Sequence, residues 1–157
     1  MVQLFRGIEE IPVLAREGAI VPLKNMEVFD NDTDNPKSLE IKIFPGKTGS
    51  FTLWEDEGDC VEESWVETKL EKAQEEGKDC FIIHSPQGNT AVLPEKRCWK
   101  LDFVKIKENT VSVLVDGKET AYKATVEKNG MCIEITEVPV NAAQKLSLWE
   151  SWRAQRD

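Results

Sequence analysis

Alternation of apolar and polar side chains is the feature that most limits what this chain can fold into. Val111, Val113 and Val115 occupy every second position up to Asp116-Gly117, a dipeptide favoured in tight two-residue hairpin turns. Similar runs predict further strands over residues 81–83, 97–106, 122–126, 132–138 and 145–149. Short strands with turn signals about every 8–12 residues are typical of a β-sandwich or a β-barrel, and the spacing alone fits both.

The stretch 39–58 shows the same alternation on both sides of a break. Its apolar members are Leu39, Ile41 and Ile43, followed by Phe51 and Leu53. Pro45-Gly46 interrupts the alternation, as the connection of a hairpin would. The pattern predicts a β-hairpin that continues from Trp54 into an acidic turn, in which Gly58 supplies a positive φ.

Residues 61–76 carry both helical and strand signals. Val66, Leu70 and Ala73 fall at helical spacing, whereas residues 65–70 also alternate between apolar and polar positions. Because strand patterns lie on both sides and tertiary context overrides local propensity, we predict a strand.

A change of parity occurs within the predicted strand 97–106. Leu101 and Phe103 are apolar at odd positions, whereas Val104 and Ile106 restart the pattern at even positions. One inserted residue produces such a change, so the pattern predicts a β-bulge.

The size and charge of the chain limit its domain number and its partners. The 157 residues suit one domain, or one domain with part of another. The net charge is −9, and residues 55–79 hold eleven acidic and three basic side chains. A polyanion would be repelled by this segment, and no basic amphipathic helix or long apolar run occurs, so we predict neither nucleic-acid nor membrane binding.

The cysteines indicate neither a zinc site nor a disulfide framework. They are Cys60, Cys80, Cys98 and Cys132. No C-x-x-C pair occurs, and His84 is the single histidine, so no metal site is predicted. We predict buried thiols in a reducing compartment, which favours the cytoplasm. The glycines form no phosphate-binding loop, and no cofactor is predicted.

Two acidic clusters are candidate sites. Asp30, Asp32 and Asp34 imitate the start of a calcium loop, but Asn35 and Ile41 replace the glycine and the glutamate that such a loop requires. The second cluster consists of Glu55, Asp56, Glu57 and Asp59. Adjacent carboxylates on an exposed turn lack the apolar pocket that raises the pKa of a catalytic acid, so both clusters are predicted to be solvated.

The tryptophans are candidates for sugar stacking, because indole faces attract the apolar C–H faces of sugar rings. Trp54, Trp65 and Trp99 lie inside strand patterns and are predicted to pack in the core. Trp149 and Trp152 lie near the end of the sequence and are the predicted sugar platform.

Residues 11–23 and 39–58 resemble the C-terminal end of family 31 glycoside hydrolases, which are α-glucosidases and α-xylosidases. The first segment matches a P-V-x-x-R-x-G-A-I-x-P pattern through Pro12, Val13, Arg16, Gly18, Ala19, Ile20 and Pro22. The second matches [FY]-P-G-x-x-G-x-F-x-L-[YW]-E-D-x-G through Phe44, Pro45, Gly46, Gly49, Phe51, Leu53, Trp54, Glu55, Asp56 and Gly58. The match is dense over about a third of the chain.

The resemblance implies an all-β fold, an antiparallel two-sheet β-sandwich, and a division of the chain. Residues 1–35 would be the remnant of a proximal sandwich with its linker, 36–150 the distal C-terminal sandwich, and 151–157 a frayed tail. The segment 1–23 would either pair with the distal sandwich or leave an apolar edge exposed.

The resemblance also implies a non-catalytic role. The catalytic carboxylates of the family lie in a (β/α)₈ barrel upstream of the matching segments, and this chain shows no βα alternation. The whole protein would hydrolyse α-glycosidic bonds, and this part would support its barrel or its assembly into a homo-oligomer. The predicted interface with the barrel consists of Ile11, Pro12, Val13, Arg16, Ile20 and Val21. The alternative is a self-standing carbohydrate-binding module.

Overall fold

The computed structural model describes residues 7, 14–24, 34–58, 64–75, 78–106 and 111–148. Within these residues the chain forms twelve strands and one short 3-10 turn at Thr90–Val92. The strands are β1 (Ile20–Lys24), β2 (Ser38–Ile43), β3 (Gly49–Asp56), β4 (Trp65–Glu75), β5 (Lys78–Ile83), β6 (Gln87–Gly88), β7 (Lys96–Val104), β8 (Val111–Val115), β9 (Lys118–Glu119), β10 (Lys123–Glu127), β11 (Gly130–Pro139) and β12 (Gln144–Leu148). No helix in this part of the chain is long and apolar enough to cross a membrane.

The strands form two sheets. The five-stranded sheet has the order β1-β2-β7-β11-β10, and the seven-stranded sheet has the order β3-β4-β5-β12-β8-β9, with β6 beside β4. All pairs are antiparallel except β2 and β7, which run parallel. The predicted all-β fold is therefore confirmed as a two-sheet sandwich with mostly antiparallel pairing.

The core lies between the two sheets. The five-stranded sheet contributes Ile41, Ile43, Leu101, Phe103, Ile133 and Ile135, and the seven-stranded sheet contributes Leu70, Phe81, Ile83, Val113 and Leu146. Phe81 and Phe103 meet edge to face across the interface, with ring centroids 6.1 Å apart. Burying each such side chain stabilises the fold by roughly 1.5–3 kcal/mol.

The stretch 39–58 does not form the predicted hairpin. Its two strands, β2 and β3, belong to different sheets, and residues 44–48 cross from one sheet to the other. β2 pairs with β1 on one side and with β7 on the other, so neither of its edges is available to β3. The segment 1–23 was expected either to pair with the distal sandwich or to leave an apolar edge exposed. Its described strand, β1, pairs with β2 of this sandwich.

The parity change near Val104 has a different cause from the predicted bulge. β7 ends at Val104, Lys105 adopts a φ of +65°, and this turn redirects Ile106 into the core. The register shift lies instead in the neighbouring strand β11, between Ile135 and Val138.

The strand prediction for 61–76 is correct over the residues of β4, Trp65–Glu75, which pairs with β3 on one side and with β5 on the other. The predicted tight turn is also correct. Asp116 and Gly117 have φ values of +48° and +74° and join β8 to β9. Two consecutive positive φ values are those of the two-residue turn that best suits strand twist.

Candidate functional site

Three glycines bring the two motif segments into backbone contact. Gly18 N donates a hydrogen bond to Pro45 O at 2.6 Å. A Cβ atom on Gly18 would lie 2.2 Å from Thr48 O, and one on Gly49 would lie 2.0 Å from Gly18 O. A Cβ atom on Gly46 would lie 2.5 Å from Gly18 N. These glycines, Gly18, Gly46 and Gly49, are here called the glycine junction, and they allow two backbones to approach more closely than side chains permit.

Lys72 lies buried beneath the glycine junction. β4 directs its side chain inward with only 2% exposed, and its Nζ donates a hydrogen bond to Gly46 O. Burial lowers the pKa of Lys72 to about 8, while the charges of Asp79 and Glu17 act in the opposite direction. The hydrogen bond to Gly46 O holds the junction against β4, and only a small part of the side chain reaches the open depression beside it.

A shallow depression of about 390 Å³ opens beside the junction. Arg16, Glu17, Ser50 and Glu71 are among the residues that line it. Arg16 and Glu17 are exposed, and the depression has no apolar wall that could exclude water from a reacting group. It is therefore a polar surface that suits contact with another polar surface rather than catalysis.

The predicted interface residues do not share one environment. Arg16 is exposed, Val21 is half-buried in β1, and Ile20 is 5% exposed because it packs in the core of this sandwich. Ile20 is thus not on the surface of the chain. Leu14, which the sequence did not single out, is 73% exposed next to Arg16. Ile11, Pro12 and Val13 lie outside the described residues.

Glu55 is buried, in contrast to the predicted solvated turn. Its carboxylate accepts two hydrogen bonds from the Arg97 guanidinium, at 2.8 and 3.0 Å, and the side chains are 5% and 1% exposed. Arg97 also donates to Pro36 O at 2.9 Å and lies 5.6 Å from the ring centroid of Trp99. This carboxylate is therefore fully engaged and does not act on a substrate.

The rest of the acidic segment offers no catalytic pair in the described residues. Asp56 and Glu57 are exposed, and Asp56 accepts a hydrogen bond from Gly58 N at 2.9 Å. Asp59 lies outside the described residues. Within the same ranges no three potential metal-ligating side chains come together.

The other titratable groups singled out in the sequence have structural environments. His84 Nε2 lies 2.9 Å from Glu71 Oε2, and hydrogen bonds from Lys69 and then His84 lower the pKa of the Glu71 carboxyl. Cys80 and Cys132 are buried as predicted, and burial raises the pKa of the Cys132 thiol to about 11. These thiols are therefore packing residues rather than nucleophiles.

Two tryptophans expected in the core lie on the surface instead. Trp54 is 59% exposed and Trp65 is 44% exposed, whereas Trp99 is buried as predicted. The indoles of Trp54 and Trp65, here called the tryptophan pair, have ring centroids 4.8 Å apart and planes tilted by 50°. The alternation in the sequence already indicated that Trp54 faces outward, because Trp54 has the parity of Thr52 and not that of the inward-facing Leu53. The predicted platform residues Trp149 and Trp152 lie outside the described residues.

Comparisons with known proteins identify where this fold occurs. No family model matches the sequence. The structure is similar to a GH31 dextranase from Flavobacterium johnsoniae, solved with glucose, with a TM-score of 0.63 and 14% identity. The match covers 86% of this chain and 19% of the dextranase chain. It is also similar to the α-1,4-glucan lyase of Gracilariopsis lemaneiformis, with a TM-score of 0.60 and 14% identity, over 84% of this chain and 16% of the lyase. The chain therefore spans less than a fifth of these enzymes and has the fold of one part of them.

Proposed function

We propose that this chain is a non-catalytic accessory sandwich of a glycoside hydrolase related to family 31, and that it supports a catalytic part within the same polypeptide. The observation that carries the proposal is the partial match, which covers 86% of this chain but only 19% of the dextranase. A domain that corresponds to so small a share of an enzyme is suited to an accessory role.

The chemistry of the described residues supports this role. Glu55 is bound by Arg97, and the neighbouring carboxylates are solvated on an exposed turn. Glycosidases need a carboxyl group with a raised pKa, whereas hydrogen bonds from Lys69 and His84 lower the pKa of Glu71, a carboxyl that lines the open depression beside the junction.

The proposed contact with the catalytic part is the polar surface around Arg16. Leu14, Arg16 and Glu17 are exposed next to the glycine junction, which fixes the backbone that carries them. An arginine fork suits the carboxylates of a partner surface. Within the proposal, the junction provides a rigid base and Arg16 makes the contact.

The reading frame that encodes the chain provides the first test. We expect an upstream segment with βα repeats in the same frame, and a stop codon directly before Met1 would contradict the accessory role. In the longer polypeptide, Arg16→Glu should lower the melting temperature of the catalytic part, whereas Lys123→Glu on the exposed strand β10 should not. The 157-residue chain alone should not hydrolyse isomaltotriose, and hydrolysis by it would overturn the proposal.

A further inference from the structure

The tryptophan pair lies on the outer face of the seven-stranded sheet. In the register of β3 and β4, Trp54 is opposite Glu67 and Asp56 is opposite Trp65, so the two indoles are diagonal neighbours on one face. Their mutual contact leaves 59% of Trp54 and 44% of Trp65 exposed. Two large aromatic side chains are thus presented to solvent from adjacent strands.

Polar side chains border the indoles. Gln87 of β6 pairs with Glu67 of β4, which places the row Trp54, Glu67 and Gln87 across three neighbouring strands. In the described part of the chain, the side chains of Glu67 and Gln87 form no hydrogen bond or ion pair. A carboxylate and an amide beside the rings therefore have hydrogen-bonding capacity to offer a ligand.

The charge around the pair restricts the ligand. Glu67 lies opposite Trp54 and Asp56 lies opposite Trp65, while Lys69 on the same face is paired with Glu71, so the charge beside the indoles is negative and repels phosphates, nucleic acids and acidic peptides. A neutral ligand with apolar faces and many hydroxyl groups fits both the indole faces and the polar side chains that border them. The C–H faces of a pyranose ring stack on indole, and its hydroxyls bond to carboxylate and amide groups.

The tilt between the two indole planes favours α-linked glucans over β-1,4-linked glucans. A β-1,4-linked chain is a flat ribbon with nearly coplanar sugar rings, whereas α-linkages turn successive rings and curve the chain. The indole planes are tilted by 50°, which suits rings that are turned relative to each other. We propose that the tryptophan pair, with Glu67 and Gln87, is a binding surface for α-linked glucans. The choice of an α-glucan also rests on the proposed function, since an accessory domain with this surface would hold a polymeric substrate near the catalytic part.

Affinity electrophoresis of the 157-residue chain tests the surface directly. Native gels would contain amylopectin, dextran or hydroxyethylcellulose, with a plain gel as reference. We expect amylopectin or dextran to retard the chain and hydroxyethylcellulose to leave its mobility unchanged. Trp54→Ala and Trp65→Ala should each weaken retardation roughly tenfold, and Gln87→Ala should weaken it about two- to fivefold, since tenfold corresponds to the loss of one good contact.

The matched control is Tyr122→Ala, which removes another exposed aromatic ring, 39% exposed and far along the chain from the pair. It should be retarded like the wild type, and circular dichroism should show that all variants are folded. Unchanged mobility of the wild type in both α-glucans would overturn the proposal, and so would full retardation of both tryptophan variants or equal retardation by hydroxyethylcellulose. Because these gels do not depend on an upstream catalytic segment, failure here leaves the accessory role standing, and the reading frame tests that role separately.

Discussion

At the scale of single residues, the ion pair between Glu55 and Arg97 joins the two sheets. Glu55 belongs to β3 of the seven-stranded sheet, and Arg97 belongs to β7 of the five-stranded sheet. Both side chains are almost fully enclosed. An enclosed charge without its partner is costly, so the pair fixes how the sheets face each other even where its net contribution to stability is small.

Replacement of one partner of this pair should be severe. We expect Arg97→Met to lower the free energy of unfolding by about 3–5 kcal/mol, because it leaves the Glu55 carboxylate buried and uncompensated. Urea unfolding followed by circular dichroism measures the change. Lys96→Met is the control, since the neighbouring Lys96–Glu137 pair is exposed and should contribute at most about 1 kcal/mol.

The double variant Glu55→Leu, Arg97→Met separates the pair from its surroundings. It should be more stable than Arg97→Met alone, because no buried charge is left without a partner. A double variant that is less stable than the single one would show that the cost comes from lost packing and not from the orphaned carboxylate.

Lys72 should make stability depend on pH in the alkaline range. The pKa of Lys72 is about 8 in the folded protein, against an ordinary value of 10.5. Between these values the unfolded chain binds the proton more strongly, so this group makes stability rise with pH across that window. Relative to Lys72→Met, the wild type should gain about 1–3 kcal/mol between about pH 7.5 and pH 10, since one pKa unit corresponds to about 1.4 kcal/mol.

Urea unfolding at the two pH values measures this difference. Lys69→Met is the control, because Lys69 lies on the outer face of the same strand with half of its side chain exposed. Its stability should follow the wild type as pH rises. Parallel curves for the wild type and Lys72→Met would contradict the lowered pKa.

For these residues, position in the alternating strand pattern indicates burial or exposure better than residue type does. Glu55 shares the parity of Leu53 and therefore the inward face, and Trp65 has the parity of Glu67 and therefore the outer face. Their chemical character predicted the opposite, because carboxylates are usually solvated and tryptophans usually packed. In β3 and β4 the period of the strand outweighs the hydrophobicity of the side chain. The partner of Glu55 was not predictable, since Arg97 lies forty-two positions away.

At the scale of elements, the glycine junction holds the segment around Gly18 against residues 45–49 by direct contact between their backbones. A Cβ atom on Gly49 would lie 2.0 Å from Gly18 O, whereas one on Gly117 would meet no atom within 4 Å. We therefore expect Gly49→Ala to lower the free energy of unfolding by about 3 kcal/mol or more through overpacking. Gly117→Ala should cost about 1–2 kcal/mol, because only its positive φ is strained.

The melting temperatures of the two variants, measured under the same conditions, show whether the steric clash at Gly49 destabilises the fold more than the strained φ at Gly117 does. An equal loss in both would mean that residues 16–19 shift away at little cost. In that case the junction would not provide a rigid base for Arg16.

The elements themselves were largely predictable, but their neighbours were not. Alternation records which face of a strand is buried, and it correctly predicted strands at 81–83, 111–115 and 132–138. It does not record which strand lies alongside. β2 and β3 follow each other closely in the sequence and still enter different sheets, because β7 occupies the edge that β3 would need.

At the scale of the whole molecule, one shared core predicts one unfolding transition. Side chains of both sheets meet in a single cluster, and Phe81 contacts Phe103 across it. We expect tryptophan fluorescence and circular dichroism to report the same urea midpoint. Phe81→Ala should lower the free energy of unfolding by about 3–5 kcal/mol and move both probes together. Separate midpoints would indicate that the sheets unfold independently.

The parallel pairing of β2 with β7 has a consequence for the newly made chain. Lys42 of β2 donates a hydrogen bond to Asp102 of β7, sixty positions later, and the partner of β2 on that edge is β7. On the ribosome, β2 emerges roughly 3–12 s before β7 at ordinary rates of synthesis. During that interval the strand that carries Ile41 and Ile43 has no partner on that edge. Nascent chains that end between these strands are therefore where aggregation and chaperone capture should concentrate.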